Sequence, residues 1–314
     1  MTQGQGVLQA TDERIVVTDV SPRDGLQSQP VPVSTPAKLE LIRLLAAAGV
    51  PSIEATSFVS PKAVPQMADA AAVLAGLAQA APGLRASVLA PNLKGLDRAL
   101  AAGAREVAVV LSATETMNRR NINMGLADAT AVSEETLRAA RGHGLATRAY
   151  VAVAVECPFE GAVAPGVVVE LAERMLAAGA DEIVLADTIG AASPGQVRAL
   201  LRAAAPSIPV AQTGVHLHDT RGFGVANAWV ALEAGIRRFD ASAGGIGGCP
   251  FAPGAAGNLA TEDLVLLAQQ SGLATGISLD GLAAAVAFAE QQLDRPLGGR
   301  SLGWWRRRAR PAPG

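Results

Sequence analysis

The sequence predicts an α/β fold: a (β/α)8 TIM barrel with an additional C-terminal helical segment. Three observations predict it. Short β-type runs alternate with Ala/Leu-rich helical runs over most of the 314 residues. Eight such units follow one another, the number that closes a parallel sheet into a barrel ringed by helices. The notable polar groups fall at the ends of the strand-like runs or just after them, where a barrel of this kind carries its chemistry. A doubly wound open sheet is the competing reading of the same alternation. No linker or shift in composition divides the chain, so a single domain is expected: barrel over 12–275, helix within 276–298, flexible tail over 299–314.

Arg14–Val20 reads as the first strand, and Pro36–Ala48 as its helix, with Leu41, Leu44, Leu45 and Ala48 at helical spacing. Thr35 before Pro36 offers a cap followed by a proline in the first turn. The following strand and helix pairs are Ser52–Ser57 with Gln66–Gln79, Leu84–Ala90 with Leu93–Ala102, Glu106–Ser112 with Ala127–Arg141, and Thr147–Val155 with Val167–Ala178. Asp181–Ala186 is the sixth strand; its helix opens at Ser193-Pro194-Gly195-Gln196, where serine hydroxyl and glutamine amide can cap reciprocally. Val210–His218 with Val225–Ala234 and Arg237–Ser242 with Leu259–Gln270 complete the series. Gly49, Gly103, Gly144, Gly179 and Gly235 stand between helix and next strand, where a left-handed cap is wanted. Leu282–Leu293 is a further helix, packed on the barrel or on a partner subunit.

Composition narrows the function. Half of the residues are apolar and only 3% aromatic, so the core is aliphatic. With 26 basic and 28 acidic residues there is no basic excess to suit nucleic acid. Ala241–Thr261 lacks charge but holds six glycines and two prolines, so it is no spanning helix and no membrane is expected. Residues 1–11 show no basic segment leading into an apolar one, so nothing marks export. Two cysteines make no disulfide framework and fit a reducing cytoplasm. The end, Trp304-Trp305-Arg306-Arg307-Arg308, reads as a frayed terminus, with a membrane or an acidic partner as the rival.

His216 and His218 lie two apart on a predicted strand, so both imidazoles point to one face and supply half of a divalent metal site. Taken alone, the pair could equally be two core histidines. Its neighbours on the same rim decide otherwise: Arg23 and Asp24 after the first strand, Glu54 on the second, Asp187-Thr188 after the sixth, and Gly244–Cys249 after the eighth. Asp24, His216, His218 and the amide of Asn258 form an N₂O₂ set that suits Mg²⁺ or Mn²⁺; Cys249 leaves zinc open. Arg23 can donate to a developing oxyanion and can also pair with Glu54. The glycine-flanked Cys249 reads as an acid or base on a flap, with a buried structural thiol as the rival.

Together these residues resemble the 3-hydroxy-3-methylglutaryl-CoA lyases, within a group of metal-dependent barrels that share an Asp-Arg-Glu constellation. The resemblance runs from Thr18 to about Gln270. It rests on SPRDGLQ (21–27), IEATSFVSPKAVPQMAD (53–69), PNLKG (91–95), NIN (121–123), CPFEG (157–161), ADTIG (186–190), HLHDTRG (216–222) and GGIGGCPFAPGAAGNLATEDLV (244–265). It implies retro-Claisen cleavage to acetyl-CoA and acetoacetate, chemistry of leucine breakdown and ketone-body formation. It further implies an acyl-CoA substrate, a divalent cation on Asp24, His216, His218 and Asn258, and an enolate steadied by Arg23. Asp24 or a group near His216 would act as base, Cys249 as the closing acid, and Glu54 as the group orienting Arg23. Gln27, Tyr150, Asp187 and Thr188 would line the substrate pocket, and Glu262 would stand behind the metal. The departures are Gln29-Pro30 where an acidic-basic pair is common, Glu156 where a glycine is usual, and Phe223 where Gln or Met is commoner. They leave the acyl group open to a longer branched analogue; a Claisen-type synthase is the further alternative. A homo-oligomer is expected from the aliphatic C-terminal helix.

Overall fold

The computed structural model describes residues 13–248 and 257–308. Eight parallel strands close into a barrel: β1 (Val16–Asp19), β2 (Ser52–Ser57), β3 (Arg85–Leu89), β4 (Glu106–Ser112), β5 (Ala146–Ala152), β6 (Glu182–Asp187), β7 (Thr213–Leu217) and β8 (Arg238–Ala241). Each strand pairs with its neighbours in sequence, and β8 closes on β1 through Val16 beside Arg238 to Asp19 beside Ala241. Strands of such a barrel are covered on both faces, which is why they read as continuous rather than alternating apolar runs. In β4, six of the seven residues are buried.

The outer ring is α1 (Thr35–Ala47), α2 (Ala70–Ala80), α3 (Leu93–Ala101), α4 (Glu115–Ile122), α5 (Leu126–Gly142), α6 (Pro165–Ala177), α7 (Pro194–Ala204), α8 (Gly224–Glu233) and α9 (Thr261–Gln270), followed by α10 (Leu279–Leu293) and α11 (Arg300–Arg308). The reciprocal cap of Ser193 and Gln196 is formed at the start of α7. All five glycines expected to be left-handed have positive φ, from 74° at Gly144 to 105° at Gly179.

Several boundaries differ from expectation for local reasons. Ser34, not Thr35, caps α1 by accepting from the Ala37 amide; the Thr35 hydroxyl donates to Asp69 at 2.7 Å instead. The helix expected over 66–79 is split into a turn at Pro65–Met67 and α2, because the buried Lys38 ammonium takes the Gln66 carbonyl and the Asp69 carboxylate, both at 2.6 Å. Strand β5 stops at Ala152 because Val153 has φ 50°, a costly conformation for a β-branched residue. Strand β7 begins only at Thr213, after a helical turn at Val210–Gln212. Helix α4 was not anticipated from its polar sequence.

The expected tail is helical over Arg300–Arg308. Asp263 accepts from the backbone N–H groups of Arg300 and Ser301 at 2.9 and 2.8 Å, while Arg306 pairs with Glu290 and the Trp305 indole donates to Asp280. Helix α10 packs on α1 of its own chain, with the Ser278 amide donating to the Ala48 carbonyl. Its apolar face is thereby covered and no longer argues for a partner subunit. No helix among the described residues is long and apolar enough to cross a membrane.

Candidate active site

At the C-terminal end of β1 the chain makes a wide π-helical turn over Ser21–Gly25, a conformation often found at functional sites. Asp19 anchors it: its buried carboxylate accepts from the Ser21 amide at 2.9 Å and from the Thr261 hydroxyl at 2.7 Å. The turn aims Arg23 and Asp24 across the barrel mouth. The Arg23 guanidinium donates from Nε to Glu54 on β2 at 2.6 Å and from Nη1 to Asp24 at 2.8 Å. The ion pair expected between Arg23 and Glu54 is therefore formed.

His216, on β7, and His218, just beyond it, face each other with their Nε2 atoms 3.1 Å apart. One ligand atom from each of Asp24, His216 and His218 lies within 4.8 Å of the others, close enough to hold a single metal ion. Asn258 reaches this group from 40 residues downstream because its strand-like segment bridges to His218, with the Leu259 amide donating to the Leu217 carbonyl. Its Nδ2 donates to Asp24 at 2.8 Å and to the Ile246 carbonyl at 3.0 Å, and its Oδ1 is buried without a hydrogen-bond partner. The segment fits only because residue 257 is glycine: a Cβ there would stand 1.9 Å from the Gly245 carbonyl oxygen.

The electrostatics suit a cation. Burial would push the Asp24 carboxyl up, yet the Arg23 guanidinium, and then the two imidazoles, hold it below its ordinary value. Burial, and next His216, push His218 down to about 3, so that its imidazole is neutral. Burial also disfavours a charge on His216, but its bond to Asp240 and the charge of Asp24 raise it. Burial raises Glu54 against the pull of Arg23. A half-buried carboxylate, two imidazoles and an unpartnered amide oxygen are hard and borderline donors, a set that fits a divalent ion.

This group lies at one end of a cavity of about 310 Å³. Gln27, Tyr150 and Thr188 line it as expected, and its far wall is apolar: Val59, Val64, Leu89, Val110, Met117 and Ile122. Asp187 does not line it. Both of its oxygens turn back to accept the Ala191 and Ala192 amides, so it closes the loop after β6. Glu262 does not stand behind the cation group either; it accepts from the Gly244 amide at 3.0 Å and the Gly299 amide at 2.6 Å, tying the β8 loop to the C-terminal segment. Cys249 lies outside the described residues.

Sequence reasoning missed a charged network inside the barrel. Arg148 on β5 reaches across the lumen to Asp240 on β8 at 2.7 Å and sideways to its neighbour Glu182 on β6 at 2.8 Å. The Tyr150 hydroxyl donates to Asp240 at 2.7 Å. The signal was present: Arg148 and Tyr150 are two apart in a strand, and Asp240 is an acid set between Phe239 and Ala241 on another.

The family model described as HMGL-like matches residues 14–288. The mitochondrial hydroxymethylglutaryl-CoA lyase of Rattus norvegicus is 46% identical over 283 residues, covering 90% of this chain and 87% of its own. The crystal structure of hydroxymethylglutaryl-CoA lyase from Pseudomonas aeruginosa superposes with a TM-score of 0.91 at 39% identity, covering 95% of this chain and 99% of its own. An HMG-CoA lyase from Acinetobacter baumannii, solved with coenzyme A and 3-methylmalate, also gives 0.91, at 40% identity over 98% of this chain and 100% of its own.

Proposed function

The chain belongs to the HMGL-like family, that of the hydroxymethylglutaryl-CoA lyases, and from that premise we propose that it cleaves 3-hydroxy-3-methylglutaryl-CoA to acetyl-CoA and acetoacetate. The observation that carries this reading is the convergence of Asp24, His216 and His218 to within 4.8 Å, beside Arg23, at one end of one cavity. Asp24, His216, His218 and Asn258 would hold a divalent cation, Mg²⁺ or Mn²⁺, which when bound supplies Lewis acidity at the substrate's carboxylate and tertiary hydroxyl.

Asp24, or a group beside His216, accepts the hydroxyl proton. The C2–C3 bond then breaks, its electron pair passing to the thioester enolate as C3 becomes the ketone of acetoacetate. Arg23, held by Glu54, donates to the enolate oxygen, a placement that costs no reorganisation at the moment of reaction. Cys249 returns a proton to C2 and completes acetyl-CoA. Gln27, whose Oε1 is buried and unpartnered, together with Tyr150 and Thr188, positions the acyl group. We take the enzyme to work in the cytoplasm, where its two thiols stay reduced.

The test is acetyl-CoA release from 3-hydroxy-3-methylglutaryl-CoA with Mg²⁺ or Mn²⁺, and again with chelator. Release that stops with chelator is expected; release that ignores it removes the cation from the reading. The apolar wall from Val59 to Ile122 favours one second reading, a longer 3-alkyl substituent on the same glutaryl-CoA. A higher kcat/KM for the longer thioester would establish it.

A further inference from the structure

We propose that Asp240 is a positioning residue that locks His216 into the tautomer protonated on Nδ1, leaving the Nε2 lone pair for the cation. The proposal rests on the reading of His216 as one of the cation's ligands. Asp240 stands directly beside His216 in the β8–β7 ladder, and its Oδ2 lies 3.3 Å from His216 Nδ1. The same oxygen accepts the Tyr150 hydroxyl at 2.7 Å, and Oδ1 accepts Arg148 Nη2 at 2.7 Å.

A carboxylate so engaged has only acceptor capacity to offer. Nδ1 must then carry the hydrogen, because a lone pair there would face the oxygen's own lone pairs. Nε2 is left as an acceptor, and it is the atom that faces His218 and the cation group. A histidine ligand whose second nitrogen donates to a carboxylate is held in orientation and made more basic. Asp240 and Arg148 do not line the cavity, so the network acts through His216 rather than on the substrate. Arg148 crosses the lumen from β5 and Tyr150 leans on His216 edge-on, their ring centroids 6.1 Å apart, so the carboxylate is fixed from two sides.

The experiment is nitrogen NMR of ring-labelled histidine in the metal-free protein at mildly alkaline pH. With three histidines in the chain, an exposed His143→Gln change and His218→Gln assign the spectrum. His216 is expected to show a protonated Nδ1 and an imine-type Nε2. In Asp240→Asn the amide can donate to Nδ1, so the ring is expected to shift towards the Nε2-protonated form. Titrated Mn²⁺ should then bind that variant about 10–100-fold more weakly. A wild-type ring protonated on Nε2 would overturn the proposal, and that measurement stands even if the variant does not fold. So would a folded variant with unchanged ring signals and Mn²⁺ affinity. No substrate is involved, so the result is independent of whether the thioester is cleaved.

Discussion

Two clusters of charge share the barrel, and they differ in how completely their members satisfy one another. At the rim, Arg23 is shared between Glu54 and Asp24, while Gln27 Oε1, Glu54 Oε1, His218 Nδ1 and Asn258 Oδ1 are buried without partners. Deeper in, Asp240 is engaged at both oxygens, and within the Arg148–Tyr150–Glu182–Asp240 group only Arg148 Nε lacks a partner. Buried polar groups are ordinarily paired, because an unmade hydrogen bond costs the full desolvation of the group. Unpaired groups gathered around one cavity therefore belong to a surface arranged for a ligand, whereas a nearly closed network belongs to the scaffold that aims it. His216 joins the two.

Removing one arginine from each cluster separates these roles. Arg148→Met leaves Asp240 and Glu182 buried without their shared counter-charge. Burial alone would push the Asp240 carboxyl up, and Arg148 is the chief group that holds it well below its usual range, so loss of the guanidinium removes the main interaction that stabilises this buried carboxylate. A loss of about 3–5 kcal/mol in chemical denaturation is expected, the magnitude for breaking a buried pair. A loss under about 1 kcal/mol would mean that the network carries no strain on deletion. Arg23→Gln should act the other way round. Glu54 is already raised by burial, so it can take a proton when its partner goes, and the fold should survive with a loss of roughly 1–2 kcal/mol. Turnover should fall by about 10²–10³, the loss for one oxyanion donor. Undiminished turnover would remove Arg23 from the enolate.

The barrel was legible because its evidence is repeated: eight apolar runs, each followed by a helical one, with glycines of positive φ between several of them. The rim residues Asp24, His216 and His218 were legible because a parallel barrel puts every strand end on the same side, so sequence order already implied nearness. Asp187 shares that location and still faces elsewhere, since both of its oxygens are taken by the Ala191 and Ala192 amides of the loop after β6. Arg148 and Asp240, 92 residues apart, were not legible as partners, because which residues meet across a lumen depends on strand stagger rather than on position in an alternating pattern. The helix at Arg300–Arg308 escaped for a similar reason. Its first turn is capped by Asp263, a residue of α9, and its own sequence offers a single buried apolar side chain, Leu302, among aromatic and basic ones.

Glu262 offers the smallest effect and a finer version of the same contrast. It is a paired acid in geometry, holding the Gly244 and Gly299 amides. Even so, burial first, and the neighbouring charge of Asp263 with it, push its carboxyl up to about 7 against the pull of those amides. An acid whose folded-state pKa lies above its unfolded value binds its proton more tightly when folded. Its contribution to stability is then fully present below about pH 4.5 and is lost as pH rises through about 7. Glu262→Gln carries no titrating group at any of these pH values. The difference in stability between variant and wild type should therefore shift in the variant's favour by up to about 3 kcal/mol between pH 5 and 7, and level off above, as about 1.4 kcal/mol per unit allows. Thermal or urea melts of both proteins across that range decide it. A difference that stays constant would show that the two amides fully compensate the buried charge, and Glu262 would join Asp240 among the acids whose ionised form the scaffold satisfies.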